Sequence, residues 1–279
     1  MSSSCRGSEY PKVERLALVC STRGEKGIRL RISMLGNSDT TGILLRPDEK
    51  SWPTLVQERL ALSLNEPVAV DSRRFVPYRR GAVEHALGIV DEVMPDVVVL
   101  TLASFWCAFG TVQARVEQSF GPRAARLYKR AEGAYISRVE TVGRAVQPDR
   151  GIGRKAARRL IGTATYMDLK QFVQVYGDLV RALSQRERMH VVVLSDHHYN
   201  DRIRREMPGI VRVIAEIQAA IKPVVDERKL LWGDLEVALV GEGSRENLIQ
   251  ADGVHMTAEA HQRVAAMLVP LLAAIAAPR

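Results

Sequence analysis

Short apolar runs alternate with longer amphipathic stretches along this chain. Ile28, Leu30, Ile32 and Met34 recur at every second position, after a first apolar run from Leu16 to Cys20. The turn-like Arg23-Gly24-Glu25-Lys26-Gly27 between them predicts a hairpin. Its second arm runs straight into Gly36-Asn37-Ser38. Ser51 is placed to cap a helix with Pro53 in its first turn, where a missing N–H does no harm. Pro67 to Val70 predicts a short strand, and Gly81 precedes an amphipathic helix over Ala82 to Val93. Val97 to Leu102 is a β-branched run of the kind found in strands buried on both faces of a parallel sheet, and Val191 to Leu194 repeats it. Leu230 to Trp232 predicts a last short strand ahead of Asp234. Thr257 then caps a terminal helix carrying Val264, Leu268, Leu272 and Ile275, which Pro270 is expected to kink.

Strands that alternate with helices define an α/β sheet with right-handed crossovers. The spacing breaks once. About 90 residues separate Leu102 from Val191, far more than one crossover helix needs, so a helical subdomain or cap is expected there.

Composition narrows the class. A chain of 279 residues with 46% apolar content has room for one α/β domain and an insertion. Cys5, Cys20 and Cys107 make no disulfide framework. The first residues lack the apolar stretch of a signal peptide, and Val264 to Ala277 is too short to span a bilayer. These features predict a soluble, cytoplasmic protein with no membrane partner. The net charge of +8 is concentrated. Val112 to Ile161 holds twelve basic and four acidic residues, an excess equal to that of the whole chain. A basic segment in a neutral scaffold points to a local anionic partner rather than to nucleic acid, or else to a solvated helical face.

The chemistry sits at two places. Ser38 directly follows an apolar strand, at the carboxyl edge where open α/β sheets bind ligands. Asp252 lies three residues before His255, just ahead of the last helix. A hydroxyl, an imidazole and a carboxylate are the parts of an activated serine nucleophile. Asp196-His197-His198-Tyr199-Asn200-Asp201 follows another strand and is expected to line the same cleft through His197. Neighbouring histidines on one loop, without HExxH-like spacing, argue against a metal there.

Together these stretches resemble the SGNH (GDSL-like) hydrolase superfamily. Gly36-Asn37-Ser38-Asp39-Thr40 is similar to the family's nucleophile block, Gly81 falls where the second-block glycine lies, Pro95 to Leu100 looks like the third-block strand, and Asp252-Gly253-Val254-His255 matches the Asp-x-x-His block. The resemblance implies a three-layer, flavodoxin-like α/β fold with a mostly parallel five-stranded sheet, here one domain carrying a basic helical insertion over residues 112–165. It implies a serine ester hydrolase acting through an acyl-enzyme on a small-molecule ester, with no metal or organic cofactor. Ser38 would be the nucleophile, His255 the base and Asp252 its orienting acid, with the N–H groups of Ser38 and Gly81 as the oxyanion hole. Two departures stand out. Asn37 replaces the usual aspartate, and Ala103-Ser104-Phe105-Trp106 lacks the asparagine that donates to the oxyanion. Asn37 and Ser104 are therefore expected to contact substrate as substitutes. An O-acyltransferase with the same triad, or a non-catalytic protein that binds an anionic ligand, would read the same in sequence.

Overall fold

The computed structural model describes Gly27 and residues 30–141, 152–197, 199–240, 247–250 and 252–277, with backbone alone at 132–141 and 152–155. Five strands form one sheet in the order β2-β1-β3-β4-β5: β1 (Leu30–Gly36), β2 (Val68–Arg74), β3 (Val97–Thr101), β4 (His190–Leu194) and β5 (Leu231–Gly233). All four pairings are parallel. β1 has a parallel partner on each side, so it is not the second arm of a hairpin; the proposed first arm, Leu16 to Cys20, lies outside the described residues.

Alternation along the strands feeds two cores. Ile32, Met34, Val97, Val99, Val192 and Leu194 pack on one face against α1 (Trp52–Leu64), α9 (Leu235–Val240) and α10 (Ala258–Ala276). Leu35, Val98, Leu100, Val191 and Val193 pack on the other against α2 (Ala82–Val93), α6 (Leu169–Ser184) and α8 (Ile210–Glu227). Because both faces are covered, the inner strands are mostly apolar on both sides, as is usual in a parallel sheet. The result is a three-layer α/β fold.

The long interval holds, besides α6, the short α3 (Phe105–Ala108), α4 (Val112–Thr141) and α5 (Ile152–Ile161). α4 breaks at Gly121, whose φ of 83° is left-handed, just ahead of Pro122. A last helix, α7 (Asp201–Glu206), follows β4. Pro270 does not divide α10, which runs from Ala258 to Ala276 as one element. Thr257 caps it by accepting from the Ala260 N–H. Ser51 makes no such cap for α1. Instead the Trp52 N–H donates to Nδ1 of His261, a buried histidine of α10, at 3.2 Å. Burial drives the His261 pKa down to about 4, so it accepts as a neutral ring. Among the described residues, no helix is long and apolar enough to cross a membrane.

Candidate active site

The strand ends build the site. Beyond β1 the chain turns sharply, and Gly36 is needed for that turn: a Cβ there would stand 2.0 Å from Thr40 Oγ1. Asn37 stabilises the bend by accepting the Asp39 N–H at 3.1 Å. Asp39 to Thr41 form one 3₁₀ turn, closed by Gly42 at φ 67°. Ser38 is thus held at the carboxyl edge of the sheet, partly exposed.

Asp252 to His255 approach it from the other side. Asp252 Oδ1 accepts the N–H groups of Val254 and His255 at 3.0 and 3.1 Å, and its Oδ2 meets His255 Nδ1. His255 Nε2 lies 2.8 Å from Ser38 Oγ. Carboxylate, imidazole and hydroxyl therefore form one chain of hydrogen bonds. Gly253, at φ 82°, permits this turn, and a Cβ there would meet Ile203 Cγ1 at 2.5 Å. α7 clamps the turn from behind, with Arg202 Nη2 donating to the Asp252 carbonyl at 2.8 Å.

The electrostatics suit a base. Burial opposes the imidazolium of His255, but the hydrogen bond to Asp252 and the charges of Asp39 and Asp252 outweigh it, so its pKa is raised. Burial likewise opposes the Asp252 carboxylate. Its bonds from His255 and the Val254 N–H prevail, and its pKa is lowered. A proton taken from Ser38 would thus meet an acid that remains ionised.

A cleft of about 260 Å³ opens beside Ser38. Its walls include Ile43, Phe105, Trp106, Tyr199 and Val254, with Asn37, Asp39, His197, His255 and Arg74 as polar members. His197 is buried. Its Nε2 faces the Val254 carbonyl at 3.1 Å, and its Nδ1 lies 3.4 Å from Asp196 Oδ1. Burial opposes its charge, yet Asp196 and Asp39 raise its pKa to about 9.

Two expectations need correction. Ser104 does not reach the cleft: it is fully buried, its N–H donates to Asp196 Oδ2 at 2.6 Å, and its hydroxyl faces Tyr199 Oη at 3.3 Å. Gly81 is exposed, caps α2 at φ 70° and is not among the cleft residues. The register instead sets Arg74 beside Gly36, and Arg74 lines the cleft. Among the described residues of 112–165, none lines it. Asn37 does line the cleft, but its amide is folded back onto Asp39.

Tyr199 lines the cleft as part of the loop expected there, whereas Asp39 and Arg74 belong to the site without a sequence expectation. Asp39 stands next to the expected nucleophile, which is the available signal. Arg74 ends a strand whose polar second half hid its length. Cys107 is buried, with its thiol pushed up to about 12 by that burial, and is no nucleophile. Among the described residues, no group of three or more His, Cys, Asp or Glu side chains is arranged to hold a metal ion.

No family model and no curated protein matches this sequence. Solved structures do. The lipase/acylhydrolase from Enterococcus faecalis is 17% identical, with a TM-score of 0.55 over 90% of this chain and 98% of its own. TesA is 16% identical, with a TM-score of 0.53 over 88% of this chain and 99% of its own. A variant of Axe2, an acetyl xylan esterase from Geobacillus stearothermophilus, is 13% identical, with a TM-score of 0.50 over 88% and 94%. The chain shares its three-layer α/β fold with these proteins.

Proposed function

We propose that this protein is a serine ester hydrolase. The observation that carries the reading is the 2.8 Å contact between His255 Nε2 and Ser38 Oγ, with Asp252 on the other ring nitrogen. Ser38 Oγ attacks the acyl carbonyl while His255 Nε2 takes its proton. His255 then passes that proton to the departing alkoxide, leaving an acyl group on Ser38. Water, deprotonated by the same imidazole, releases the acid and restores the serine. Asp252 keeps the imidazole in the tautomer whose Nε2 can accept.

The oxyanion needs donors. The Ser38 N–H has no acceptor within the protein among the described residues, so it is free for this role. The test is labelling with a fluorophosphonate, which requires an activated serine, followed by turnover of short-chain phenyl esters. Labelling confined to Ser38, and lost in Ser38→Ala, is the expected result. An intact protein that neither reacts with the probe nor hydrolyses any ester of the series would refute the reading.

A further inference from the structure

We infer that Arg74 forms an anion subsite beside Ser38, and that the natural ester carries a carboxylate close to its scissile bond. The inference rests on the reading of Ser38 as nucleophile, but the subsite itself does not.

Four observations converge on Arg74. The first is position. Arg74 is paired in register with Gly36, two residues before Ser38, and the Phe75 N–H donates to the Gly36 carbonyl at 2.7 Å. The backbone that bears the guanidinium is therefore fixed to the backbone that bears the hydroxyl.

The second is seating. The Arg74 guanidinium carbon stands 5.3 Å from the centre of the Trp106 ring. Attraction to the ring face orients the planar fork, while its N–H edges stay available. The ring itself is 4% exposed and packs edge-on to Phe105 and Tyr166, so the platform is rigid.

The third is the lack of a protein acid. Among the described residues, Arg74 has no carboxylate within ion-pair distance. Its neighbour Arg73 does: Nε lies 2.9 Å from Asp71 and Nη2 lies 3.9 Å from Glu92. Of two consecutive arginines, the one that reaches toward α2 is paired with acids, and the one that lines the cleft, itself exposed to solvent, is not.

The fourth is the state of the other polar groups. Asn37 is bonded to Asp39, Asp39 to Met256, His197 to Val254, and His255 to Asp252 and Ser38. Ile43, Phe105 and Val254 offer apolar surface, and Trp106 offers its ring face while its Nε1 is buried without a partner. Arg74 thus holds the strongest uncommitted donors in the cleft. A planar, two-pronged donor matches a carboxylate. A volume of about 260 Å³ leaves room for a short acyl ester bearing one such group rather than a long chain.

The experiment separates binding from turnover. N-phenylsuccinamate and 4-acetamidobenzoate carry a carboxylate on the acyl side and the amine side, respectively, of an amide that the serine leaves intact. Acetanilide is the uncharged control. Calorimetric titration of the wild-type protein should show one of the two anions binding about tenfold or more tighter than acetanilide. Arg74→Gln should erase that preference without weakening acetanilide, and Arg74→Lys should keep part of it. A preference that survives Arg74→Gln, or a wild-type protein that prefers neither anion, overturns the subsite. Phenyl acetate turnover of the wild-type protein is measured in parallel. If wild-type protein hydrolyses no ester yet shows the Arg74-dependent preference, the esterase reading fails and the subsite stands.

Discussion

Asp39 Oδ1 accepts the backbone N–H of Met256 at 3.0 Å, across 217 positions of chain. The residue after the serine thereby grips the residue after the histidine. Asp39 is buried, and its charge also helps to raise the His255 pKa. The bond sets the distance between the two loops, and a hydroxyl displaced by about 1 Å can lose roughly a hundredfold in rate.

Asp39→Ala should therefore lower both stability and turnover. It leaves the Met256 N–H buried without an acceptor, a cost of about 1–3 kcal/mol, or a few degrees of Tm. Asp39→Asn keeps an acceptor oxygen and should retain most of the Tm. Thermal unfolding and kcat for the three proteins decide it; a normal Tm and kcat in Asp39→Ala would show that the bond holds nothing.

Ser38→Ala and His255→Ala should each reduce ester turnover by about three orders of magnitude or more, with an unchanged circular dichroism spectrum, because the members of such a unit act together. Near-full activity in Ser38→Ala would place the nucleophile elsewhere.

The pH profile reports the base. Proton transfer to His255 needs its neutral form, and its pKa is raised above the ordinary 6.5, so kcat/KM should climb with pH through a midpoint above that value. Asp252→Asn removes a cause of the rise. Burial then dominates, so the limb should move to lower pH while its plateau falls, though less far than in His255→Ala. A limb that stays in place in Asp252→Asn would remove Asp252 from the role of partner.

His197 links stability to pH. Its pKa is about 9 in the folded protein against 6.5 in the unfolded chain, so folding binds a proton between those values. The stabilisation is complete below 6.5 and is lost as pH rises toward 9. His261 works in the opposite direction. Its folded pKa of about 4 makes stability fall as pH drops from 6.5 toward 4. In His197→Gln the decline of Tm between pH 6.5 and 9 should flatten, and the decline on the acid side should remain. Equal alkaline slopes in the two proteins would contradict the assignment.

Arg158 and Arg159 should be silent at the cleft. Arg158 and Arg159 are exposed, and no described residue of 112–165 lines the cleft. Arg158→Gln combined with Arg159→Gln should leave KM unchanged for phenyl acetate and for an anionic ester alike. A rise confined to the anionic ester would return the insertion to the site.

What sequence made legible follows from burial. β3 and β4 lie inside the sheet with helices on both faces, so Val97 to Leu100 and Val191 to Leu194 are apolar without interruption and stand out in the chain. Asp252 and His255 stand out because their spacing and the Thr257 cap are local. β2 was read as ending at Val70 because Asp71, Ser72, Arg73 and Arg74 are polar, yet backbone pairing to β1 carries it through Arg74. A sheet edge tolerates polar residues, and their polarity then masks the strand. The resemblance to a family position points Ser104 at the site, while its actual direction is set by Asp196 and Tyr199, which are 92 and 95 residues away in the chain. No local pattern contains that information.

The two outer strands of the sheet differ in kind. β2 ends in Asp71, Arg73 and Arg74, and β5 is only three residues long. An open strand edge is a template on which another chain can be added, and charge or brevity blunts it. One margin here is guarded by ions and the other by shortness, so the five strands can remain a solitary sheet at high concentration. Arg74 would then serve in solution behaviour as well as in recognition: a substitution that only empties the anion subsite also removes part of the barrier to edge-to-edge aggregation.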